Sequence, residues 1–213
     1  MTTASRPRAA RARRAVRPSG DDREQAILET AKRLLDERSF ADISVDDLAK
    51  GAGISRPTFY FYFPSKDAVL VALVAQVITA ADQTFQSLPE TPPDNFSEAC
   101  RAGINVFFET FANHEGVIRA GHSVRSSNAE IQKLLSTYMQ RWIDSTAATI
   151  ETQRARGAAP TTLPSVELAT ALNLMNERAL FASFADERPA IPTEHLLDTL
   201  VHIWVASIYG ESR

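Results

Sequence analysis

The 213-residue sequence predicts an all-α fold, in which a small N-terminal unit of three helices joins a larger helical bundle. Three observations support this prediction. Apolar residues recur at intervals of three and four along most of the chain, helix-starting and helix-stopping residues divide it into segments, and no segment alternates apolar and polar residues as a strand would. No repeat of fixed period suggests a solenoid.

The N-terminal tail, residues 1–20, contains six arginines and no acidic residue, although the whole chain has a net charge of −3. It lacks the apolar residues that would offset the entropy of ordering, so we expect it to be disordered and attracted to phosphate or a narrow minor groove. A purely solubilising tail is the alternative. The tail has no apolar run like that of a signal peptide, and uncharged stretches elsewhere are too short to span a bilayer, which predicts a cytoplasmic protein.

The first helix is predicted to begin at Asp21 and Asp22, whose carboxylates complement the positive end of the helix dipole. Its apolar residues fall at i, i+4, i+7 and i+8, which places them on one face: Ile27, Ala31, Leu34 and Leu35. We expect this face to cover the next two helices and to build a small core with them.

The second helix is predicted to begin at Ser44, whose side chain can accept a hydrogen bond from the free N–H groups of the first turn. Gly53 ends it, because glycine takes a left-handed backbone without steric cost. Ser55 offers a second cap and Pro57 fits a first turn, so a third helix begins near Ser55 and closes before Pro64.

Helical spacing turns Phe59 and Tyr62 inward on this third helix. The residues left facing outward are Arg56, Thr58, Tyr60 and Phe61. Such residues at the front of a short second helix can meet base edges and phosphates, which predicts a DNA-binding helix-turn-helix. An ordinary helical hairpin with exposed aromatic side chains is the alternative.

A long apolar helix follows from Ser65 to about Ser87 and would link this unit to the body. The body is predicted to contain five further helices, separated by glycine-bearing and proline-bearing segments. They span residues 94–112, 116–125, 127–157, 165–185 and 193–210. The single cysteine, Cys100, lies among apolar residues, which favours a buried filler over a redox sensor.

Three body helices carry stripes that could line either a plain core or a ligand cavity. Their residues are Cys100, Gly103, Ile104, Phe107 and Phe111 on the first, Leu135, Met139, Trp142 and Thr146 on the second, and Asn173, Asn176, Glu177, Leu180, Phe181 and Phe184 on the third. Buried amides and a carboxylate need partners, so they either bond between helices or await a polar atom of a ligand. Arg178 is one candidate partner for Glu177. An apolar tunnel with such groups suits a lipophilic, carbonyl-containing effector.

An enzyme is the weaker interpretation. The four histidines, His114, His122, His195 and His202, join no acidic residue or cysteine at a metal-binding or catalytic spacing, so we predict neither metal nor cofactor. Glu177 could act as a general base among apolar residues, but no nucleophile or oxyanion motif accompanies it. A DNA-binding architectural protein without an effector is a further alternative, and it predicts a fully packed body.

Residues 43–49 (ISVDDLA) and 57–66 (PTFYFYFPSK) together resemble the TetR family of one-component repressors. Residues 103–111 (GINVFFETF) and 168–178 (LATALNLMNER) are similar to a particular branch of it. The resemblance implies DNA contacts by Ser44, Arg56, Pro57, Thr58, Tyr60, Phe61, Tyr62 and Lys66, with Ser44 and Lys66 holding phosphates. It also implies an elongated effector pocket lined by Phe107, Phe111, Met139, Trp142, Thr146, Asn173, Asn176, Phe181 and Trp204.

The resemblance thus implies a repressor that binds double-stranded operator DNA as a homodimer through its last two helices and is released by a lipophilic effector. Trp204 could serve either the pocket or the dimer interface. The expected division is a basic tail (1–20), a DNA-binding domain (21–66) and an effector-binding and dimerisation domain (67–213). The resemblance further implies that the regulated gene is a neighbouring one encoding a flavin-dependent monooxygenase.

Overall fold

The computed structural model describes residues 20–89, 96–185 and 187–210, and all regular structure in these ranges is helical. The predicted all-α class is therefore confirmed. The helices are α1 Gly20–Glu37, α2 Val45–Gly51, α3 Arg56–Tyr62, α4 Lys66–Gln86, α5 Phe96–Asn113, α6 Glu115–Val124, α7 Ala129–Ala155, α8 Ser165–Phe184 and α9 Thr193–Tyr209, with a short 3-10 turn at Phe40–Asp42. The predicted disordered tail lies outside the described residues except for Gly20, which already belongs to α1.

Helix boundaries agree with the sequence to within a few residues, because the signals that set them are local. One shift of two residues is at α7, which begins at Ala129 and not at residue 127. The carboxamide oxygen of Asn128 accepts hydrogen bonds from the backbone N–H groups of Glu130 and Ile131, at 3.1 and 3.0 Å. An asparagine cap of this kind fixes the first helical residue.

The first three helices pack around fully buried side chains, among them Ile27, Leu48 and Phe59. This core extends beyond the head, which is the N-terminal unit formed by α1, α2 and α3. The same cluster continues along α4 through Val74 and into α6 through Val117. The head is therefore attached to the body by apolar packing on two helices as well as by the chain itself.

Helix α6 packs so closely against the head that a glycine of α6 lies beside backbone atoms of α1. A Cβ atom placed on Gly116 would lie 2.6 Å from the carbonyl carbon and oxygen of Leu35 in α1. Arg119 donates a hydrogen bond from Nη2 to the same Leu35 oxygen at 3.1 Å. One turn later, a Cβ atom on Gly121 would lie 2.9 Å from Cγ2 of Val74 in α4. Helix α6 can pack this closely against α1 and α4 because Gly116 and Gly121 have no side chains.

Helix α4 is the one described helix that is long and apolar enough, by length and composition, to cross a membrane. Core helices of soluble proteins pass the same test. Val69, Leu70 and Val74 of α4 are buried in the cluster shared by the head and α6, which accounts for its apolar composition.

The remaining helices form the body, in which α5, α8 and α9 enclose most of the apolar residues and α7 packs along α8. Two further clusters occupy this region. One is centred on Ile150 and Ala169, and the other on Leu180, Leu196 and Leu200. The space between α4, α5, α7 and α8 is not filled completely, and a cavity lies there.

Candidate DNA-reading face and effector cavity

Helix α2 begins with reciprocal hydrogen bonds between Ser44 and Asp47. The Ser44 hydroxyl accepts from the Asp47 backbone N–H at 3.1 Å, and the Asp47 carboxylate accepts from the Ser44 backbone N–H at 2.9 Å. This capping box satisfies two otherwise free N–H groups. The hydrogen bonds from Ser44, followed by the interaction with Arg38, lower the pKa of Asp47 to about 2.

We predict that the Asp47 cap makes stability depend on acid pH. Because the folded-state pKa lies below the ordinary value of 3.8, the stabilisation is complete above that value and is lost as the pH falls towards about 2. The gap in melting temperature between the wild type and Asp47→Asn should therefore be constant above about pH 5 and shrink below about pH 4. Thermal denaturation at low salt measures it. A gap that widened on acidification would contradict the assignment.

The turn and the start of α3 follow the sequence prediction closely. Gly53 has a φ of +67°, and the Ser55 hydroxyl accepts from the Thr58 backbone N–H at 3.3 Å. Phe59 is fully buried, whereas Tyr60 is 45% and Phe61 83% exposed. Tyr62 is half-buried against the head core, as its spacing indicated. An exposed phenylalanine on this face has the chemistry to meet a thymine methyl group.

Arg56 is held in place by residues beside it on the same face. Its Nη1 lies 3.2 Å from Oδ2 of Asp46, and its Nη2 donates to the Tyr60 hydroxyl at 3.3 Å. Both partners of the ion pair are exposed, so water and salt weaken it. The guanidinium group is therefore oriented but remains accessible.

The structure gives Lys66 an internal role that the sequence did not predict. Its ammonium group donates to the carbonyl oxygens of Phe40, Ala41 and Ile43, at 2.9, 3.3 and 2.8 Å. It also lies 4.5 Å from the centre of the Phe40 ring. An ammonium group has three donors, and all three are used within the protein. Its contact with a DNA phosphate stays a prediction.

Four of the predicted DNA contacts nevertheless share one surface. Ser44, Arg56, Tyr60 and Lys66 line a single open depression of about 450 Å³, together with Asp46. Pro57 and Thr58 lie in the first turn of α3 beside it, where Pro57 needs no hydrogen-bond partner for its nitrogen. The acidic residues on this face leave it without a strong positive charge.

The body contains two adjoining chambers, both lined by α4, α5, α7 and α8, with α9 also lining the outer chamber and α6 the inner one. The outer chamber has a volume of about 810 Å³ and includes Gly103, Thr146 and Trp204 in its wall. The inner chamber has a volume of about 90 Å³ and includes Phe111, Leu135, Met139, Glu177 and Phe181. All nine residues that the family resemblance implies for the effector pocket line one chamber or both, as do Gly103, Leu135 and Glu177 from the predicted stripes. Their part in binding is itself not tested by this geometry.

Four residues form a partition common to both chambers: Phe107, Trp142, Asn173 and Asn176. The Phe107 and Trp142 rings meet edge to face, with their centres 4.6 Å apart. The two amides are bonded within the protein. Asn173 donates to the Thr146 hydroxyl at 3.1 Å, and the Asn176 oxygen accepts from the Trp204 indole N–H at 2.9 Å.

The structure shows the partners of two residues whose surroundings the sequence left open. Trp204 faces the outer chamber through its bond to Asn176, so its indole belongs to the cavity wall. Glu177 does not pair with Arg178. Its carboxylate accepts from Nη1 of Arg125 at 2.6 Å, whereas Arg178 pairs with Glu187. Adjacent positions on a helix point in different directions, so the partner of Glu177 comes from the chain that follows α6.

The inner chamber also contains a polar residue that sequence reasoning missed. The His122 ring stacks on Phe181, with the ring centres 3.7 Å apart. Burial is the largest influence on His122 and lowers its pKa, which favours the neutral imidazole. Among the described residues, no group of three or more histidine, cysteine or acidic side chains is placed to hold a metal ion.

Asp82 is the other residue that the sequence analysis missed. It lies on α4 and is only 5% exposed. Its Oδ1 accepts from the indole N–H of Trp142 at 3.0 Å, and its Oδ2 pairs with Arg141 at 2.9 Å. The signal was available, since Val74, Ile78 and Asp82 recur at i, i+4 and i+8 on the buried side of α4.

A capped helix-turn-helix head on a cavity-bearing helical body defines a class of protein, the helix-turn-helix transcriptional regulators. Comparison with known proteins agrees. The family model for bacterial regulatory proteins of the tetR family matches residues 27–73, and the model for the C-terminal domain of the transcriptional regulator EthR matches residues 100–210. The chain belongs to the TetR family of transcriptional regulators.

Curated relatives place the chain beside EthR within that family, as the sequence resemblance predicted. The HTH-type transcriptional regulator EthR of Mycobacterium tuberculosis is 62% identical over 216 residues, which cover 100% of both chains. EthR of Mycolicibacterium smegmatis is 55% identical over 210 residues, covering 99% of this chain and 97% of its own.

Solved structures share the fold at lower identity. A transcriptional regulator from Saccharomonospora viridis in complex with choline superposes with a TM-score of 0.72 at 22% identity, covering 87% of this chain and 96% of its own. A tetR-family regulator from Streptomyces coelicolor gives a TM-score of 0.70 at 20% identity, covering 89% and 81%.

Proposed function

We propose that the protein is a homodimeric repressor that binds operator DNA in the cytoplasm and is released by a lipophilic effector. The observation that carries this proposal is a cavity built directly against α4, the helix whose first turn belongs to the DNA-binding head. A ligand in this cavity contacts the element that positions α3. The alternative of an architectural DNA-binding protein is disfavoured because that reading expects a fully packed body.

The DNA contacts are proposed to come from the front of α3 and from the start of α2. The major groove would meet charged, polar and apolar groups, which belong to Arg56, Thr58, Tyr60 and Phe61. Pro57 and Tyr62 would hold the helix against the DNA backbone. Ser44 and Lys66 are proposed to hold the phosphates beside them, Lys66 through its charge, because its three donors are used within the protein. The arginines of residues 1–20 are proposed to supply much of the salt-dependent affinity.

The effector is proposed to be an elongated lipophilic molecule with a carbonyl group. The volume of the outer chamber is within the range of sites for small ligands, roughly 300 to 1,000 Å³. A ligand carbonyl can replace Asn176 as the acceptor for the Trp204 indole, or replace the Thr146 hydroxyl as an acceptor for the Asn173 amide. Filling the cavity would shift α4 and change the separation of the two heads, so that both no longer fit adjacent major grooves.

Dimerisation is proposed through α8 and α9. The exposed apolar side chains Val166 and Leu174 lie eight residues apart on α8, which puts them on the same side of the helix. The buried residues Leu168 and Leu172 lie at least about 120° away from both of them around the helix. By similarity to EthR, we further propose that the operator controls a neighbouring monooxygenase gene.

Fluorescence anisotropy tests this function, with a duplex from the chain's own upstream region, a scrambled duplex, and a series of aliphatic ketones, esters and amides. Phe107→Ala should weaken the response to the effector while operator affinity is retained. Thr58→Ala and Tyr60→Ala should each lower operator affinity by about tenfold, since a lost base contact costs 1 to 3 kcal/mol, while leaving effector binding intact. Equal loss of both functions in every variant would contradict the division of roles.

A further inference from the structure

A buried carboxylate on α4 joins the α7 wall of the cavity to the helix that carries the head. Asp82 is buried on α4 and uses both of its oxygens on residues of α7. Oδ1 accepts from Trp142 and Oδ2 pairs with Arg141. A buried charge that loses such partners is left without compensation, so Asp82 and the side chains that bind it are expected to move together.

Trp142 is the member of this group that a ligand touches. Its ring belongs to the partition and contacts Phe107, while its indole N–H points to Asp82. The inner chamber holds only about 90 Å³ with the partition as it lies in the structure. A ligand that extends from the outer chamber into the inner one must therefore displace the partition, and Trp142 is the largest side chain in it.

From Asp82 a rigid path leads to the DNA-binding head. Asp82 lies sixteen residues after Lys66, which is about 24 Å along an α-helix at 1.5 Å per residue. Over this length α4 is continuous and buries Leu70, Leu73 and Val77. A small displacement near Asp82 is thus carried as a movement of one rigid element to the turn that follows α3.

We infer that the hydrogen bond between Trp142 and Asp82 is the connection by which occupancy of the cavity is transmitted to α4. Asp82 is a positioning residue, because it is not among the residues that line the chambers and acts through Trp142. This inference rests on the proposed function, since it concerns the coupling between the same effector and the same operator. It adds the residue through which the two sites communicate.

The chain supplies a matched control for this hydrogen bond. The hydroxyl groups of Thr79 and Tyr138 are 3.0 Å apart and also join α4 to α7. Neither residue is among those lining the two chambers. Thr79→Val removes this bond at nearly constant volume. If any hydrogen bond between α4 and α7 were enough to transmit the effect, both positions would behave alike.

The experiment measures operator affinity by anisotropy, with and without saturating 2-dodecanone or whichever ketone, ester or amide most strongly releases the wild-type protein. The ratio of the two affinities is the coupling factor, which is typically 5-fold to 150-fold in allosteric proteins. It is determined for the wild type, Asp82→Ala, Trp142→Phe, the double variant and Thr79→Val. Trp142→Phe removes the indole N–H but keeps an aromatic ring in the partition.

We expect Asp82→Ala and Trp142→Phe each to reduce the coupling factor to about twofold or less, and the double variant to reduce it no further, because the two changes break the same bond. Thr79→Val should keep the wild-type factor to within about twofold. Calorimetric titration should show that Asp82→Ala still binds the compound, and thermal denaturation should show that it is folded at the assay temperature.

The outcomes separate this inference from the proposed function. A wild-type protein that no compound releases overturns both. A wild-type protein that is released, with Asp82→Ala released equally well, overturns the role of Asp82 alone. Losses that multiply in the double variant, or an equal loss in Thr79→Val, overturn the specific bond. If Asp82→Ala is unfolded, Trp142→Phe measured against Thr79→Val decides the question by the same criterion.

Discussion

Leu174→Glu is expected to convert the protein to a monomer and to lower operator affinity by about 100-fold or more. A single short reading helix contacts few base pairs, and two heads spaced by about 34 Å are needed to occupy successive major grooves. Leu174 is 46% exposed in the middle of α8, so glutamate is accommodated in the monomer but would place a charge in the centre of the proposed interface. Light scattering measures the mass, and anisotropy measures the affinity.

Leu163→Glu is the matched control for that experiment. Leu163 is 55% exposed and lies before the start of α8, so the chemical change and the exposure are similar while the position differs. It should remain dimeric and retain operator affinity. A dimeric Leu174→Glu would place the interface elsewhere, and a monomeric variant that still binds the operator tightly would contradict the requirement for two heads.

The second large effect is expected at Gly116. A methyl group at this position would lie 2.6 Å from the backbone carbonyl of Leu35, and backbone atoms inside a helix have little freedom to yield. Gly116→Ala should therefore destabilise the protein by about 2 kcal/mol, within the usual cost of overpacking. Because α6 would be forced away from α1, operator affinity should fall as well. Urea denaturation followed by circular dichroism measures the free energy of unfolding.

Gly121→Ala tests whether contact with backbone atoms is the cause of the destabilisation expected for Gly116→Ala. On the same helix, its methyl group would meet the end of the Val74 side chain at 2.9 Å, and a side chain can rotate. The gain in helix propensity, about 1 kcal/mol, should offset much of the remaining strain. Equal destabilisation by the two substitutions would show that α6 is sensitive to any added volume, and not to the position of α1.

Sequence alone predicted the features that depend on neighbours in the chain. Ser44 and Asp47 are three residues apart, and Gly53 takes its positive φ within its own turn, so the bounds of the head helices could be inferred directly. The stripes that line the cavity were also visible, because helical spacing determines which residues share a face. A family resemblance added which of those faces should meet DNA or an effector.

The contacts that hold the site together join residues far apart in the chain, and the sequence did not predict them. Glu177 and Arg125 are 52 residues apart in the chain, and Trp142 and Asp82 are 60 apart. Which charged residue pairs with which depends on how four helices pack, and spacing within one helix carries no such information. Lys66 shows the same limit, since the carbonyl groups that it binds are presented by a turn more than twenty residues earlier.

The buried cysteine has a practical consequence for measuring the two heads. Cys100 is 7% exposed, and burial raises the pKa of its thiol to about 12, so almost none of it is thiolate at neutral pH. Maleimide and nitroxide reagents should therefore react much more slowly with Cys100, which lies in the wall of the outer chamber, than with a thiol on the surface. One cysteine introduced on the surface of α1 would give each proposed dimer a single pair of probes, and the distance between them would report the spacing of the heads without a cysteine-free background.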